Sequence, residues 1–309
     1  MSFSLRQLQI FEMVAEEGSF SRAAEKLFLT QPAVSIQIKR IEEAVSLPLF
    51  DRLGKQALLT QAGQELLLHS RVIHQQIDEA KRMLADLHDL KHGSITLTMA
   101  ATANYFAPQI IAGFHKLFPD ARITLEVANR AGLIIALEEN RADMVIMGRP
   151  PDGLAVDMAA FCENPLVVIA SPSHALATQR NISLERLAQE SFIMREAASG
   201  TRIAAQRFFD LHGLQPNIAM EMNRTEAIKQ AVMAELGVGI VSLHTLDMEL
   251  QLRRLVVLDV VEFPIMRHWY LVHRSGKRLA GMPQAFKSFV LEQAGDLLSL
   301  PQWQQDRYE

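Results

Sequence analysis

From Gly63 to Gly93 the chain runs without an internal glycine or proline, and Leu66, Ile73, Ala80 and Leu87 recur every seventh residue, with Ile77 and Leu84 four beyond two of them. This is a heptad seam, the pattern of a helix that packs its apolar stripe against another helix. A continuous helix of roughly thirty residues is about 45 Å long. That is longer than a domain of this size needs for itself, so the stripe calls for a partner, most simply the same helix of a second subunit. The seam also divides the chain, because the residue patterns before and after it differ.

Ahead of it the patterns are helical. Leu5, Leu8, Ile10, Phe11, Val14 and Ala15 predict a first helix that stops at Gly18. Ser19 is an N-cap for a short second helix carrying Ala23, Ala24 and Leu27, and Gln31-Pro32 begins a third, since proline suits a first turn. In the third helix Val34, Ile38 and Ile41 form a buried stripe, while Gln31, Ser35 and Lys39 repeat on another side. In the stretch from 47 to 63, Pro48 and Gly54 punctuate two short apolar runs, as a small hairpin or wing would, with Arg52 and Lys55 at its tip.

After Lys91-His92-Gly93 the pattern becomes that of alternating strands and helices. Ser94 to Met99, Arg122 to Val127, Asp143 to Met147, Leu166 to Ala170, Ser191 to Met194 and Asn217 to Met222 read as strands, and most are separated by helical stretches. Such alternation predicts parallel sheets covered by helices. The pattern is weak from Ala155 to Pro165, and a strand in different company follows, which predicts two sheets. A late strand, His268 to His273, precedes a final helix around Gln284 to Leu291, so the chain is expected to enter a second lobe and return. Gly237-Val-Gly239 lacks the rest of a nucleotide-loop fingerprint and reads as a turn after a helix.

Composition bounds function. In 309 residues, 49% are hydrophobic and 21% charged, the balance of a soluble protein with two or three domains. The net charge of -4 advertises neither a nucleic acid nor a membrane, so any such surface must be local. The lone Cys162 excludes an intramolecular disulfide and a multi-cysteine zinc site, and reads as a buried, inert thiol. No metal site is expected. The N-terminus carries acidic residues where a signal peptide needs a basic start, and no run approaches the length of a membrane span. The expected location is the cytoplasm, with no membrane partner.

A tight second and third helix, the latter buried on one side and polar on the other, is the arrangement that lays a recognition helix in the major groove. Gln31, Ser35 and Lys39 would then reach base edges or phosphates from successive turns, small Ala23 and Ala24 would allow close helix packing, and Ile36 would meet a thymine methyl. The periodicity alone also fits a plain three-helix bundle with a solvated face. Over residues 1–60 seven basic residues balance seven acidic ones, but all the basic ones except Arg6 fall in the second helix, the third helix and the wing. That segregation favours a basic stripe.

Phe20-Ser-Arg-Ala-Ala-Glu-Lys-Leu27, Thr30-Gln-Pro-Ala-Val-Ser35, Ile38-Lys-Arg-Ile-Glu42, Leu49-Phe-Asp-Arg52 and Leu59-Thr-Gln-Ala-Gly63, in this order, resemble the N-terminal signature of LysR-type transcriptional regulators. The resemblance implies a multi-domain α and α/β chain. Residues 1–60 would form a winged helix-turn-helix and 61–92 a linker and dimerisation helix. An effector domain similar to periplasmic binding proteins would span 93–309, with lobe I at about 93–165 and 267–300 and lobe II at about 166–266. It implies promoter DNA, a small-molecule effector and RNA polymerase as partners, and a homodimer or homotetramer. The implied DNA-facing set is Ser21, Arg22, Gln31, Pro32, Ser35, Ile36, Lys39, Arg52 and Lys55. Two departures stand out. The turn Phe28-Leu-Thr30 lacks the glycine common in other helix-turn-helix proteins, and Ile36 stands where a polar residue is frequent.

In a two-lobed α/β domain the ligand belongs in the crevice at the carboxyl ends of the strands, where helix N-termini present free N–H groups. Ala100 to Asn104, Met147 to Pro151, Arg195 to Arg202 and Asn223 to Glu226 fall there. The candidates are Thr102, Asn104, Arg149, Arg195, Ser199, Gly200, Thr201, Arg202 and Thr225, with hydroxyls and N–H groups for an anion and guanidinium groups for its charge. Read blandly, these are ordinary caps and surface arginines. Ile146 to Pro151, Arg195-Glu196 with Ser199 to Arg202, Glu226 to Met233, Arg254 to Asp259 and Arg267 to Tyr270 resemble the Calvin-cycle operon regulators of the same family, which control RuBisCO genes. That implies a phosphorylated or otherwise anionic effector such as ribulose bisphosphate, phosphoenolpyruvate or NADPH, with no cofactor. Ala197-Ala198 stand where such regulators often carry proline and glycine.

A regulator of another metabolic operon is the nearest alternative, and a small-molecule-binding protein without DNA activity a more distant one. An enzyme fits worst, since GxSxG, HExxH and a complete phosphate loop are all missing from the sequence.

Overall fold

Short-range capping sets the first sixty residues. Ser4 and Gln7 form a capping box at the start of α1 (Leu5–Glu17), and Gly18, at φ +56°, ends it. Ser19 caps α2 (Phe20–Lys26) and Thr30 caps α3 (Gln31–Val45), which has proline in its first turn. β1 (Phe50–Leu53) and β2 (Gln56–Leu59) pair antiparallel as the wing. The computed structural model describes residues 3–53, 56–86, 93–298 and 300–301. Gly54, Lys55, Leu87, Lys91, His92 and the side chains of Arg52 and Leu84, all named above, lie outside the described residues.

Two compact units emerge, one of residues 1–88 with 138–141 and the other of 89–137 with 142–309. In the first, Phe11, Val14, Ala23, Val34, Ile38, Ile41 and Leu49 build one core. Phe50 brings the wing into it, 5.4 Å from Phe11 and 5.6 Å from Phe20 between ring centroids. The wing is held from both sides. Ala57 N–H donates to the Gly18 carbonyl at 2.9 Å, and the Glu42 carboxylate accepts from the N–H groups of Leu49 and Phe50 at 2.8 and 3.4 Å. α4 (Gln61–Asp86) then runs as one helix, with Ser70 and His74 on the carboxylate of Glu12. Along the heptad positions of α4, Ile73 and Ala80 are exposed and Ile77 is half-buried, whereas Leu66 packs against the core.

The second unit holds two five-stranded sheets. One has the order β4-β3-β5-β12-β6, from β3 (Ser94–Ala100), β4 (Arg122–Ala128), β5 (Met144–Met147), β6 (Val156–Glu163) and β12 (His268–Arg274). The other has the order β11-β7-β10-β8-β9, from β7 (Leu166–Ala170), β8 (Ser191–Arg195), β9 (Asn217–Met222), β10 (Val238–Ser242) and β11 (Val256–Val257). α5 (Ala107–Leu117) and α11 (Gly281–Leu297) contribute to one apolar cluster of the first sheet and α6 (Arg130–Glu138) to another. α7 (Leu184–Ala188) and α8 (Gly200–Leu211) contribute to one cluster of the second sheet, and α9 (Thr225–Met233) to the other, near α10 (Asp247–Gln251).

The sheets are mixed rather than parallel. β3/β4, β3/β5, β8/β9 and β8/β10 are parallel, whereas β12 pairs antiparallel with β5 and β6, and β7 with β10 and β11. The parallel neighbours are linked through the crossover helices α5, α6, α8 and α9, as parallel pairing requires. The antiparallel strands include those at the two passages between lobes.

Three strands depart from the sequence reading. The weakly patterned stretch 155–165 contains β6, and Gly237-Val-Gly239 leads into β10 rather than forming a turn. A Cβ at Gly237, whose φ is +149°, would lie 2.1 Å from the Ser191 carbonyl oxygen, so glycine there lets two strands approach closely. β11 is only two residues long. The final helix is also longer than expected, Gly281–Leu297. Among the described residues no helix is long and apolar enough to cross a membrane.

Two passages join the lobes, at 164–165 and 258–267. They are bonded to each other: Asn164 N–H donates to the Arg267 carbonyl at 2.7 Å, and Leu166 and Ile265 exchange two backbone bonds of 3.0 Å. The Ser242 hydroxyl donates to Asn164 Oδ1 at 2.7 Å.

Candidate DNA-binding surface and effector cleft

α3 has two unlike sides. Val34, Ile38 and Ile41 are no more than 1% exposed, and Ala23 and Ala24 of α2 are buried against the same core. Gln31, Pro32, Ile36 and Lys39 are exposed, and Ser35 is half-buried. Gln31 Nε2 donates to Ser35 Oγ at 2.9 Å, and Lys39 Nζ lies 3.8 Å from Glu43. Donors, an acceptor, a methyl-bearing side chain and a cation thus share one solvent-facing side, the chemical mix that reads base edges and phosphates.

Ser21 and Arg22 are exposed on α2. The Arg22 guanidinium reaches back to Glu17, donating to its carbonyl and lying 3.5 Å from its carboxylate. Lys26 Nζ is 2.5 Å from the same carboxylate. The Lys26 hydrogen bond leads the effects that hold the Glu17 carboxyl below its usual range. One acid therefore offsets part of the positive charge that the sequence assigned to a basic stripe.

In the second unit the effector candidates separate into three groups. Thr102 is buried in the turn after β3, and Asn104, near it, is exposed. Arg195 is 8% exposed and is occupied by its own neighbourhood: its guanidinium bonds Glu196 in fork geometry at 2.8 and 2.9 Å and donates to Thr225 Oγ1 at 3.3 Å. Arg202 donates to the Arg195 carbonyl at 3.5 Å. Ser199 caps α8 and accepts from Thr201 N–H at 3.3 Å. Arg149 is exposed, 3.6 Å from Asp152.

Two arginines outside the sequence-based set converge on the cleft. Arg267 Nη1 donates to the Gly200 carbonyl at 3.0 Å, and its Nη2 lies 2.5 Å from where a Cβ on Gly148 would stand. The guanidinium therefore spans the end of β5 in one lobe and the start of α8 in the other. Arg130 Nη1 donates to the Arg149 carbonyl at 3.2 Å and lies 3.8 Å from a Cβ built on Gly200. Neither guanidinium is paired with a carboxylate among the described residues. Burial, followed by the positive charge of Arg130, draws the Arg267 pKa below its ordinary range. Two neighbouring guanidinium groups that pair with no carboxylate among the described residues are chemically suited to an anion. Sequence offers a faint signal for them: Arg267 directly precedes the late strand, and Arg130 opens the helix after β4.

The lobes also meet through a buried cation. Lys229 on α9 is 2% exposed and donates to Glu249 at 2.6 Å and the Thr245 carbonyl at 3.0 Å, with Glu226 at 2.8 Å. Burial opposes its charge, but Glu226 and Glu249 outweigh it and raise the pKa. Tyr105 of the other lobe donates its hydroxyl to Glu226 at 3.2 Å.

A separate cavity of about 1040 Å³ opens beside Tyr105, Phe106, His244, Leu250 and Arg253, and none of the nominated residues lines it. Cys162 is half-buried, not fully buried, and burial followed by the Glu163 charge pushes its thiol up to about 12. It is protonated and unreactive at neutral pH.

Comparison with known proteins matches residues 5–64 to the bacterial regulatory helix-turn-helix protein, lysR family, and residues 88–295 to the LysR substrate binding domain. The chain is 50% identical over 294 residues to the RuBisCO operon transcriptional regulator of Allochromatium vinosum, covering 95% of this chain and 97% of that one. It is 42% identical over 287 residues to the HTH-type transcriptional activator CmpR of Synechocystis, covering 93% and 94%. The solved Synechocystis CcmR regulatory domain in complex with 2-PG is 36% identical, with a TM-score of 0.62, covering 64% of this chain and 95% of that one.

Proposed function

The chain belongs to the LysR family of transcriptional regulators, and we propose that it is an effector-responsive regulator of carbon-fixation genes, including those for RuBisCO. α3 enters the major groove of promoter DNA, with Gln31, Pro32, Ser35, Ile36 and Lys39 facing the bases and backbone and Ser21 and Arg22 beside them. Arg52 and Lys55 serve the wing. The observation that carries this is the division of α3 between an apolar side sealed in the core and a polar side open to solvent. Residues 61–92 link the DNA-binding part, 1–60, to the effector domain, 93–309, and join two chains through the heptad stripe, with tetramers formed from such dimers. The protein acts in the cytoplasm, and RNA polymerase is the partner that reads its state on DNA.

The effector is a phosphorylated or otherwise anionic metabolite held between the lobes. Arg130 and Arg267 supply its counter-charge, and Thr102, Ser199 and Thr201 supply hydroxyls and N–H groups. The two guanidinium groups, which meet backbone carbonyls and no carboxylate among the described residues, support this, as does the bound 2-PG of the CcmR relative.

Gel shifts on the promoter region of a neighbouring carbon-fixation operon test the DNA arm. Ser35→Ala and Lys39→Ala are expected to abolish specific binding, and unchanged affinity in both would remove α3 from the interface. Thermal shift with 2-phosphoglycolate tests the effector arm. Arg267→Ala should lose the response while Ser35→Ala keeps it. Footprints confined to promoters of unrelated operons would favour the second reading, a LysR regulator of another pathway.

A further inference from the structure

The turn between α2 and α3 contains a residue that the fold does not explain. Phe28 has φ +54° and is 96% exposed. Its backbone closes α2 in a Schellman arrangement, with Leu29 N–H donating to the Ala24 carbonyl at 2.9 Å and Phe28 N–H to the Glu25 carbonyl at 3.2 Å. That position calls for the left-handed conformation and favours glycine, because any Cβ there crowds the backbone. Here it carries a large aromatic side chain that takes no place in the headpiece core. The chain therefore bears both backbone strain and solvated apolar area at one residue, without a return in folding stability.

The location of Phe28 supplies the missing partner. It stands three residues ahead of Gln31, where α3 begins with exposed Gln31 and Pro32, and Ile36 continues the apolar exposure at 52%. In a helix-turn-helix the N-terminal residues of the recognition helix reach the base edges, so the turn just before them stands at the rim of the groove. At that rim the duplex offers the apolar faces of its deoxyriboses between charged phosphates. We propose that Phe28 is a DNA-positioning residue that packs on the deoxyribose backbone at the groove's edge and fixes how deeply α3 enters. This rests on the placement of α3 in the major groove proposed above. An uncharged side chain packing on sugar contributes affinity independent of sequence and releases no counterions.

The test uses the full-length protein and a random-sequence DNA duplex, followed by fluorescence anisotropy across a salt series. Phe28→Gly relieves the backbone while deleting the ring, so its two effects have opposite signs. Thermal melting should rise by about 2–4 °C, whereas DNA affinity should fall roughly tenfold or more, the equivalent of losing one well-buried aromatic contact. The slope of log K against log salt should stay at the wild-type value, while Lys39→Ala lowers it by about 1. Phe28→Leu should retain most of the affinity, and Phe28→Asn, which tolerates the backbone but is polar, should lose it. Unchanged affinity in Phe28→Gly alongside weakened Lys39→Ala would overturn the role of Phe28 and leave the α3 assignment standing. Unchanged affinity in both would remove both. Unchanged DNA binding with lost transcriptional activation in Phe28→Gly would assign the ring to a protein partner and overturn the inference.

Discussion

The ammonium of Lys229 lies over the ring of Tyr105, 4.8 Å from its centroid, joining a helix of one lobe to the turn after β3 of the other. The cation is buried and satisfied by two carboxylates, so removing it leaves Glu249 facing an apolar replacement. Lys229→Met is expected to destabilise the effector domain by about 3 kcal/mol, the usual cost of stranding one member of a buried pair. Tyr105→Phe keeps the ring and loses one hydrogen bond, a cost of about 1 kcal/mol or less. Urea unfolding of the two variants would rank them, and the reverse order would refute this account of the contact.

Stability should also decline in mild acid. His244 is 8% exposed, and burial holds its imidazole below the ordinary range although Nε2 lies 2.8 Å from the Glu163 carbonyl oxygen. Because its folded pKa is depressed below about 6.5, the unfolded chain takes up the proton first. The contribution is complete above that pH and is lost as pH falls through the window beneath it. His212, raised by the Phe208 carbonyl and Glu262, carries the opposite sign, so a variant is the proper reference. Between pH 7.5 and 5.5 wild-type Tm should drop further than that of His244→Gln, and equal drops would exclude His244 as a source.

Glycine substitution should separate strain from crowding. A Cβ on Gly213, at φ +66°, meets nothing within 4 Å, whereas one on Gly237 meets the Ser191 carbonyl oxygen at 2.1 Å. Gly213→Ala should cost about 1 kcal/mol. Gly237→Ala should cost about 3 kcal/mol or more, since strand β10 must also move. Chemical denaturation gives both values, and similar losses would contradict the close β8–β10 approach.

Self-association should depend on the stripe of α4. Ile77→Glu places an unpaired charge among its apolar positions. Sedimentation of the variant should show a lower mass than wild type at equal concentration, and an unchanged mass would exclude this stripe as the interface.

Much of the architecture was legible because it is locally encoded. Ser19, Thr30, Gln31-Pro32 and Gly18 mark helix ends by capping chemistry, and the period of Val34, Ile38 and Ile41 marks a buried face. The overlooked strands lack such marks. β6 lies at a sheet edge with mixed exposure and a register shift opposite Trp269/Tyr270, so its alternation is blurred, and β10 begins with glycines that usually signal turns. Arginines were the hardest residues to read. Arg195 and Arg202 occupy the expected segment but bond Glu196, Thr225 and a backbone carbonyl, whereas Arg130 and Arg267 become neighbours only through long-range folding. One-dimensional spacing carries no trace of that meeting.

Arg267 is both a structural pin and a reaching arm. Its carbonyl is tied to Asn164 where the two connecting strands run together, and its guanidinium extends to Gly200 in the opposite half. The residue whose side chain crosses to the other lobe is thus the one whose backbone is bonded across the two connecting strands. A side-chain substitution at Arg267 removes the bond to Gly200 and leaves its backbone bond to Asn164 in place, so reach and anchorage are separable at this one residue.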